Sequence, residues 1–278
     1  MTARVPSLHP KKSLGQNFLR DENIARKIVA AIDPGSDEVL LEIGPGEGAL
    51  TKYLAPLVRR LIVVDIDRRM IIRLHEAYPA GEVEILHEDI LSVDLEGISR
   101  SSGCPLRIVG NIPYNITTPI LFHVLDHRAH VADVIFMMQK EVARRIVARP
   151  NTKDYGILSV FCQLYADADM LFDVSPNAFF PKPKVSSSVV RLNILQQARY
   201  AVENEPFFRS MVRSVFGKRR KMLRNSLRYF VEGEGGELPA GFDLEERPEQ
   251  LSLEELVKLG NAMFSGASRV GTGKGSNG

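Results

Sequence analysis

Short apolar runs rich in β-branched residues alternate with amphipathic stretches over the first two-thirds of the chain. The runs predict the strands Val39–Ile43, Leu61–Ile66, Val83–Leu86, Leu106–Val109 and Val134–Met138. The stretches between them predict helices near 22–32, 49–58, 68–78 and 117–126. This alternation is typical of an α/β fold with a doubly wound parallel sheet covered by helices on both faces.

The pattern changes after Met138, where helices are predicted at Glu141–Ala148 and Ile157–Ala166. Two further strands follow, Met170–Val174 and Ser187–Ile194. A proline-rich loop joins these strands and no helix separates them, so we expect an antiparallel hairpin at the end of the sheet.

Only helical patterns follow from about residue 200, at Pro206–Phe230 and Ser252–Phe264. They predict a small all-α domain at the C-terminal end. We expect an α/β domain over residues 1–198, a helical domain over 199–264, and a disordered tail over 265–278.

Composition excludes several classes of protein. The 278 residues are 44% hydrophobic and 25% charged, which is typical of a globular chain and not of a disordered one. No apolar run approaches the roughly 18–20 residues of a membrane span, and we see no secretory signal. The only cysteines, Cys104 and Cys162, form no CxxC pair. We therefore expect no disulfide framework, no zinc site and a cytoplasmic location.

The net charge of +2 hides a strong segregation of charge. Residues 1–20 and 206–230 carry basic side chains and no acid, whereas 231–257 carries nine acids against the single Arg247. This pattern favours a local phosphate-binding surface. A solvated helix face is the alternative, and the acidic stretch could pair with the basic helix.

A glycine-rich loop, EIGPGEGALT at 42–51, follows the first predicted strand and opens a helix. Gly44, Gly46 and Gly48 would let the backbone turn sharply and approach a ligand closely. Amides at the helix start would then face that ligand. We expect a nucleotide-type ligand here, with a merely tight strand–helix turn as the alternative.

Acids follow the next two strands at the same edge of the sheet. Asp65 ends the second strand, where a carboxylate can accept hydrogen bonds from ribose hydroxyls. Asp67 is a rival for that role or the N-cap of the next helix. Asp89 follows the third strand and could accept from an adenine amino group. Together they predict an adenosine-containing ligand and do not separate NAD from S-adenosylmethionine.

The loop Asn111-Ile112-Pro113-Tyr114 follows the fourth strand at that edge. Methylation of adenine N6 needs acceptors for its N–H groups, because the nitrogen lone pair is delocalised into the ring. The Asn111 side-chain oxygen and the Pro113 carbonyl could accept, and Tyr114 could stack on a flipped base. A proline turn with an ordinary core tyrosine is the alternative.

With these motifs the sequence resembles the ribosomal RNA adenine N6-dimethyltransferases of the KsgA type. The resemblance runs from about Leu14 to about Leu227. It rests on GQNFL (15–19), EIGPGEGALT (42–51), VVDID (63–67), EDIL (88–91), NIPYNI (111–116), YGILSV (155–160), FFPKPKVSSSVVRL (179–192) and FGKRRKMLRNSL (216–227).

The resemblance implies a class I methyltransferase fold and S-adenosylmethionine as methyl donor, with S-adenosylhomocysteine as product. It implies cofactor contacts at Asn17, the Leu19 backbone, Gly44, Gly46, Asp65, Asp89 and Asn111. It also implies that Phe179 opposes Tyr114 across the target base. Family members dimethylate two adjacent adenosines in a hairpin loop near the 3′ end of small-subunit rRNA.

We expect the basic residues of both basic segments to contact RNA. The affinity of such a surface for RNA falls steeply as the salt concentration rises. The candidates are Lys11, Lys12, Lys218, Arg219, Arg220, Lys221 and Arg224.

We therefore expect dimethylation of 16S rRNA within the small (30S) ribosomal subunit, by a monomer without a metal, a membrane or an obligate protein partner. Three alternatives stay open at this point: a dimethyltransferase of large-subunit rRNA that confers antibiotic resistance, an assembly factor whose binding outweighs its catalysis, and an NAD(P) dehydrogenase.

Overall fold

The buried apolar runs form the strands of one large sheet in a computed structural model. The structure describes residues 10–11, 14–218, 221–234 and 238–272, with the backbone alone for 232–234 and 267–272. The strands are β1 (Phe18–Leu19), β2 (Val39–Ile43), β3 (Arg60–Asp65), β4 (Glu84–His87), β5 (Leu106–Asn111), β6 (Val131–Gln139), β7 (Ala166–Val174), β8 (Phe179–Phe180) and β9 (Ser187–Ile194).

The helices alternate with the strands up to β6. After β9 the described regular elements are helices. They are α1 (Glu22–Ile32), α2 (Thr51–Leu54), α3 (Arg68–Ala77), α4 (Leu95–Ser102), α5 (Thr117–Asp126), α6 (Lys140–Val147), α7 (Ile157–Tyr165), α8 (Glu205–Gly217), α9 (Leu223–Glu234) and α10 (Leu253–Thr272). Within the described ranges, no helix combines the length and apolar character needed to cross a bilayer.

Seven strands form the main sheet in the order β4-β3-β2-β5-β6-β9-β7. The pairs from β4 to β6 are parallel, and β9 runs antiparallel to β6. This mixed sheet with connecting helices confirms the predicted α/β class. Strands β1 and β8 form a separate antiparallel ribbon.

The strand order reverses direction between β2 and β5. The chain moves outward from β2 through β3 to β4, then returns to β5 on the other side of β2. Right-handed crossovers on either side of such a switch point place helices on opposite faces and leave a crevice at the carboxyl ends of β2 and β5. The glycine-rich loop follows β2, and Asn111 is the last residue of β5.

Local sequence explains why the first helix forms where it does. The Asp21 carboxylate caps α1 by accepting from the backbone N–H groups of Asn23 and Ile24 at 2.9 and 3.1 Å. The helix buries Ala25, Ile28, Val29 and Ile32, which recur at helical spacing. Burial of this stripe in the core that lies beside β2 fixes the helix against the sheet.

The chain divides into two compact units. The first runs up to Ala143 and then takes in Ala168–Ile194, and the second combines Arg144–Asp167 with the chain from Leu195 onward. The second unit is therefore discontinuous, whereas the sequence predicted one uninterrupted boundary near 198. Edge-to-face aromatic pairs hold it internally, with ring centroids 6.0 Å apart for Phe161 and Phe208.

Three features of the secondary structure differ from the sequence-based prediction. The helix predicted over 206–230 is two helices, because α8 ends at Gly217 and α9 begins at Leu223. Helix α4 and the two-residue strands β1 and β8 were not predicted. Helix α10 continues to Thr272, so the tail does not lose structure at 265, and residues 273–278 lie outside the described ranges.

Candidate active site

A cleft lies at the carboxyl edge of the sheet, at the switch point. Its lining comes from residues within 14–19, 42–50, 64–66, 88–91 and 111–116. These stretches are the N-terminal segment and the turns after β2, β3, β4 and β5. The fold thus brings together four of the turns that carry sequence-predicted site residues.

Two glycines of the glycine-rich loop, Gly44 and Gly46, line the cleft, and neither can readily be replaced. Gly44 and Gly46 have φ values of +63° and +57°, a region that side chains with a Cβ rarely adopt. A Cβ on Gly46 would also lie 3.0 Å from the Phe18 ring. At Gly44 the space is open enough for a Cβ, so its backbone conformation is the constraint.

Asp65 and Asp67 separate into two roles. Asp65 lines the cleft, and its carboxylate accepts from the backbone N–H of Asp67 at 2.8 Å. Burial raises the pKa of Asp65, and backbone N–H donors from Asp67 and Gly46 oppose that rise. Asp67 is buried, does not line the cleft, and caps α3.

The Asp67 carboxylate also anchors the N-terminal segment. It accepts from Gln16 Nε2 at 2.9 Å and pairs with the Lys11 ammonium at 3.3 Å. The Arg69 guanidinium beside it, with these two donors, holds the pKa of Asp67 well below its usual range. The predicted RNA-binding Lys11 is therefore engaged with Asp67, and Lys12 lies outside the described residues.

Asp89 lines the cleft and also caps a short turn. Its Oδ1 accepts from the backbone N–H of Leu91 at 3.0 Å. Two apolar side chains of the same wall, Ile66 and Leu91, are 53% and 40% exposed. An apolar surface beside a carboxylate suits a flat heteroaromatic ring that carries an amino group. Sequence reasoning missed this pair, although an isoleucine between Asp65 and Asp67 could have indicated it.

Asn111 is oriented by a bond to the N-terminal segment. Its Nδ2 donates to the backbone carbonyl of Asn17 at 3.0 Å. This bond uses one N–H of the amide and fixes its plane, so that Oδ1 is the acceptor that Asn111 can offer to a ligand in the cleft. Asn17 lines the cleft as predicted, and its own Nδ2 donates to the Gly15 carbonyl at 3.2 Å.

The rest of the NIPY loop is also held in place. The Pro113 carbonyl accepts from the backbone N–H of Ile116 and from Thr117 Oγ1, both at 3.2 Å. These bonds occupy the carbonyl that the sequence proposed as a second acceptor for N6. The Tyr114 hydroxyl lies 2.7 Å from Ser187 Oγ on β9, and burial raises the pKa of this phenol.

Phe179 is buried, and its role opposite Tyr114 across the target base stays a prediction. Its side chain is 5% exposed, packs in the hydrophobic core and does not line the cleft. It pairs with Leu19 across the β1–β8 ribbon, and Leu19 is buried on the same face while it also contributes to the cleft wall. The neighbouring Phe180 is 55% exposed.

Glu42 is a functional candidate that sequence reasoning missed. It is fully buried within β2, lines the cleft, and accepts from Thr51 Oγ1 at 2.7 Å. Burial raises its pKa to about 7. The signal was present in VLLEI, where an acid interrupts an otherwise apolar buried strand.

The basic residues of the second unit are partly engaged. The Lys218 ammonium lies 3.0 Å from the Tyr229 ring centroid, and Arg224 pairs with Glu245 at 2.8 Å. The acidic stretch therefore does pair with the basic segment at that point. Lys221 is exposed, and Arg219 and Arg220 lie outside the described residues.

Metal-binding side chains do not cluster in the part of the chain that the structure describes. No group of three or more His, Cys, Asp or Glu residues there could hold an ion. The polar groups of the cleft include carboxylates, amides and backbone groups, which suit an organic ligand.

Comparison with known proteins agrees with this geometry. The family model for ribosomal RNA adenine dimethylase matches residues 8–261. A protein of Xanthomonas euvesicatoria pv. vesicatoria named ribosomal RNA small subunit methyltransferase A is 47% identical over 260 residues, covering 90% of this chain and 95% of the relative.

Two solved structures share the fold. A dimethyladenosine transferase from Plasmodium falciparum has a TM-score of 0.70 at 26% identity, covering 87% of this chain and 95% of its own. The 23S rRNA methyltransferase ErmE has a TM-score of 0.61 at 28% identity, covering 87% and 100%. With the family model matching most of its length, the chain belongs to the ribosomal RNA adenine dimethylase family.

Proposed function

We propose that the protein transfers methyl groups from S-adenosylmethionine to N6 of two adjacent adenosines of 16S rRNA, twice on each base, in the small ribosomal subunit. The observation that carries the proposal is the orientation of Asn111 at the switch-point cleft, with Nδ2 bound to Asn17 and Oδ1 left to accept. The protein would act as a monomer in the cytoplasm, without a metal.

The cleft fits the methyl donor. The positive φ angles at Gly44 and Gly46 favour glycine, and glycine has no side chain. The backbone at these two positions is therefore open to the close approach of a ligand. Asp65 would accept from ribose hydroxyls, and Asp89 from the adenine amino group, against Ile66 and Leu91. When bound, S-adenosylmethionine supplies an electrophilic methyl carbon on a positively charged sulfur.

Glu42 adds a charge argument for the same ligand. A buried carboxyl with a pKa near 7 gains stability in its ionised form when a cation enters the cleft. The ligand carries both a sulfonium and an ammonium group. We assign Glu42 to cofactor binding on that ground.

Catalysis in this scheme comes from preset acceptors. Asn111 Oδ1 would accept one N6–H, which favours a pyramidal nitrogen whose lone pair points at the methyl carbon. Because the Pro113 carbonyl is already engaged, we assign the second acceptor to the Ile112 carbonyl, for which no donor is recorded among the described residues.

The step balances without a general base. The N6 lone pair attacks the methyl carbon, the carbon–sulfur bond breaks with its electrons on sulfur, and S-adenosylhomocysteine leaves. The new ammonium is acidic and loses its proton to water. Tyr114 would stack on the flipped adenine, its ring held by the bond to Ser187.

The choice of small-subunit RNA is supported by the 47% identity to a small-subunit methyltransferase, against 28% to a 23S enzyme. The basic segments would bind RNA phosphates, so binding should weaken with salt. Methylation of large-subunit RNA is the rival, and the test below includes it.

The test measures transfer from radiolabelled S-adenosylmethionine to 30S subunits lacking dimethyladenosine, and to 23S RNA, with nucleoside mass spectrometry of the products. We expect dimethyladenosine in 30S only. In Asn111→Ala, transfer should fall by about 10²–10³-fold, in line with loss of one preset transition-state partner. A thermal shift with S-adenosylmethionine should persist in that variant. Label in 23S RNA alone would overturn the substrate assignment.

A further inference from the structure

Phe180 occupies a position that core packing does not explain. It pairs with Phe18 across the β1–β8 ribbon, while Phe179 pairs with Leu19. Opposite residues share a face, so Leu19 and Phe179 face the core and Phe18 and Phe180 share the other face. Phe18 is part of the cleft wall, yet Phe180 is 55% exposed.

The chain that follows Phe180 reaches the cleft again at Tyr114. Ser187 begins β9, and its hydroxyl lies 2.7 Å from that of Tyr114. Residues 180–186, here called the rim segment, are therefore tied to the cleft at both ends. One end is beside Phe18 and the other is at Tyr114.

The rim segment has the composition of a strand-binding surface. Its sequence FPKPKVS carries Lys182 and Lys184 and no acid, and both lysines are exposed. No ion pair is recorded for either within the described ranges. An exposed aromatic ring beside unpaired cations matches the combination that binds single-stranded nucleic acid, by base stacking and phosphate contact.

We propose that the rim segment binds the nucleotide next to the target adenosine. Phe180 stacks on the flanking base, and Lys182 and Lys184 contact the adjoining phosphates. Phe180 lies outside the lining of the cleft, so we assign it to the flanking base and not to the target base. The inference rests on the proposed function only in taking RNA as the substrate.

The first test uses the RNA that the wild-type enzyme methylates, whether 30S subunits or 23S RNA. Phe180→Ala should raise the KM for that RNA about ten-fold or more, the usual effect of losing one stacked base. Phe180→Trp should restore it. Affinity for S-adenosylmethionine and the melting temperature should not change. Ile72→Ala, which removes another side chain that is 49% exposed and outside the cleft, is the matched control.

The second test uses a fluorescent single-stranded oligoadenylate, so that it does not depend on methyl transfer. The double variant Lys182→Ala/Lys184→Ala should make the slope of log affinity against log salt shallower by about 1.4, since each phosphate contact on a single strand contributes about 0.7. Lys258→Ala removes an ammonium that is paired with Glu254 on α10 and should leave the slope unchanged.

The outcomes separate this inference from the proposed function. Label in 23S RNA alone would overturn the 16S assignment. The KM of Phe180→Ala for 23S RNA would then test the role of Phe180. If neither RNA is methylated, the affinity of Phe180→Ala for oligoadenylate tests the rim segment, and we expect this affinity to be lower than that of the wild type. Unchanged KM and oligoadenylate affinity in Phe180→Ala, or a loss that Phe180→Trp does not restore, would overturn the inference.

Discussion

Asn111 and Tyr114 each use one polar atom to hold the rest of the side chain in place. The Asn111 nitrogen binds the Asn17 carbonyl and leaves the oxygen as an acceptor. The Tyr114 hydroxyl binds Ser187 and leaves the ring face for stacking. In the roles proposed for both residues, the functional group is oriented by an atom that takes no part in the chemistry, as preorganisation of a site requires.

The Tyr114–Ser187 bond can be separated from the stacking role. Tyr114→Phe and Ser187→Ala should each lower kcat about two- to ten-fold, the range for one ordinary hydrogen bond. The double variant should be no worse than either single variant, because both remove the same bond. Tyr114→Ala should lose at least a further ten-fold with its ring. Single-turnover rates of methyl transfer for the four proteins provide the measurement. Additive losses of rate from Tyr114→Phe and Ser187→Ala would contradict this assignment.

Glu42 should make stability depend on pH in a direction opposite to that of most carboxyls. Its pKa is about 7 in the folded protein against 4.5 for an ordinary glutamate, so the folded state holds the proton more tightly. Between pH 4.5 and 7 the unfolding free energy should therefore fall as pH rises, by up to about 3 kcal/mol.

Glu42→Gln is the matched variant, because its amide oxygen can still accept from Thr51. Urea unfolding of both proteins from pH 4.5 to 8 gives the difference in unfolding free energy. That difference should move in favour of the glutamine variant as pH rises. A difference independent of pH would show that Glu42 ionises normally.

The sequence predicted several of the polar residues and glycines that line the cleft, and few of their partners. Asn111 and Gly44 were predicted because they follow strands that an apolar pattern reveals. Asn17 and Ser187, by contrast, lie 94 and 73 positions from the groups they bind, and no local pattern links them. The choice between two adjacent phenylalanines depends on which face of a two-residue strand meets the core, and alternation cannot be read from so short a strand.

At the scale of elements, the long apolar strands and capped helices were predictable and the short or polar ones were not. Strand β2 and helix α1 have the predicted bounds. Helix α4, with the sequence LEGISRSS, buries only Leu95 and Ser99 and so lacks a clear apolar stripe. Helix α8 ends at Gly217, and glycine has a poor helix propensity, whereas the apolar pattern alone continues into α9.

The N-terminal segment should control cofactor affinity through Asp67. Asp67→Asn keeps an oxygen to cap α3 and removes the charge that pairs with Lys11 and Arg69. We expect the Kd for S-adenosylmethionine to rise by about ten-fold or less, because the lost charge-assisted bonds act on the donor only through the position of the N-terminal segment, with kcat at saturation little changed.

Asp94→Asn is the control for this change, because Asp94 caps α4 away from the cleft through the Gly97 N–H at 2.9 Å. Isothermal titration with S-adenosylmethionine gives both affinities. Equal affinities for the two variants would mean that the Asp67 anchor does not support the cofactor site.

At the scale of the whole molecule, the path of the chain determines which truncated fragments keep each compact unit intact. Residues 144–167 belong to the second unit but come before the end of the first. Phe161 packs on Phe208, and Tyr155 lies with its ring centroid 5.9 Å from that of Phe216. A division near residue 198 would separate these partners.

A fragment of residues 1–198 should therefore be unstable. It keeps α7, whose residues Val160, Phe161 and Leu164 are buried in the full chain, and lacks α8 and α10. We expect a lower melting temperature than that of the full chain and binding of a hydrophobic dye. A fragment that ends at Thr272 keeps all three helices and is the control. Equal cooperative melting of both fragments would contradict the interleaved division.

The bond between Asn111 and the Asn17 carbonyl has a consequence for how the two proposed binding events communicate. The segment that carries Asn17 forms one wall of the cleft, and its carbonyl holds the amide that we propose as the acceptor for the target base. A shift of this wall would therefore also change the direction of that amide. We expect donor and RNA binding to be thermodynamically coupled through this bond, so that filling one site changes the affinity of the other.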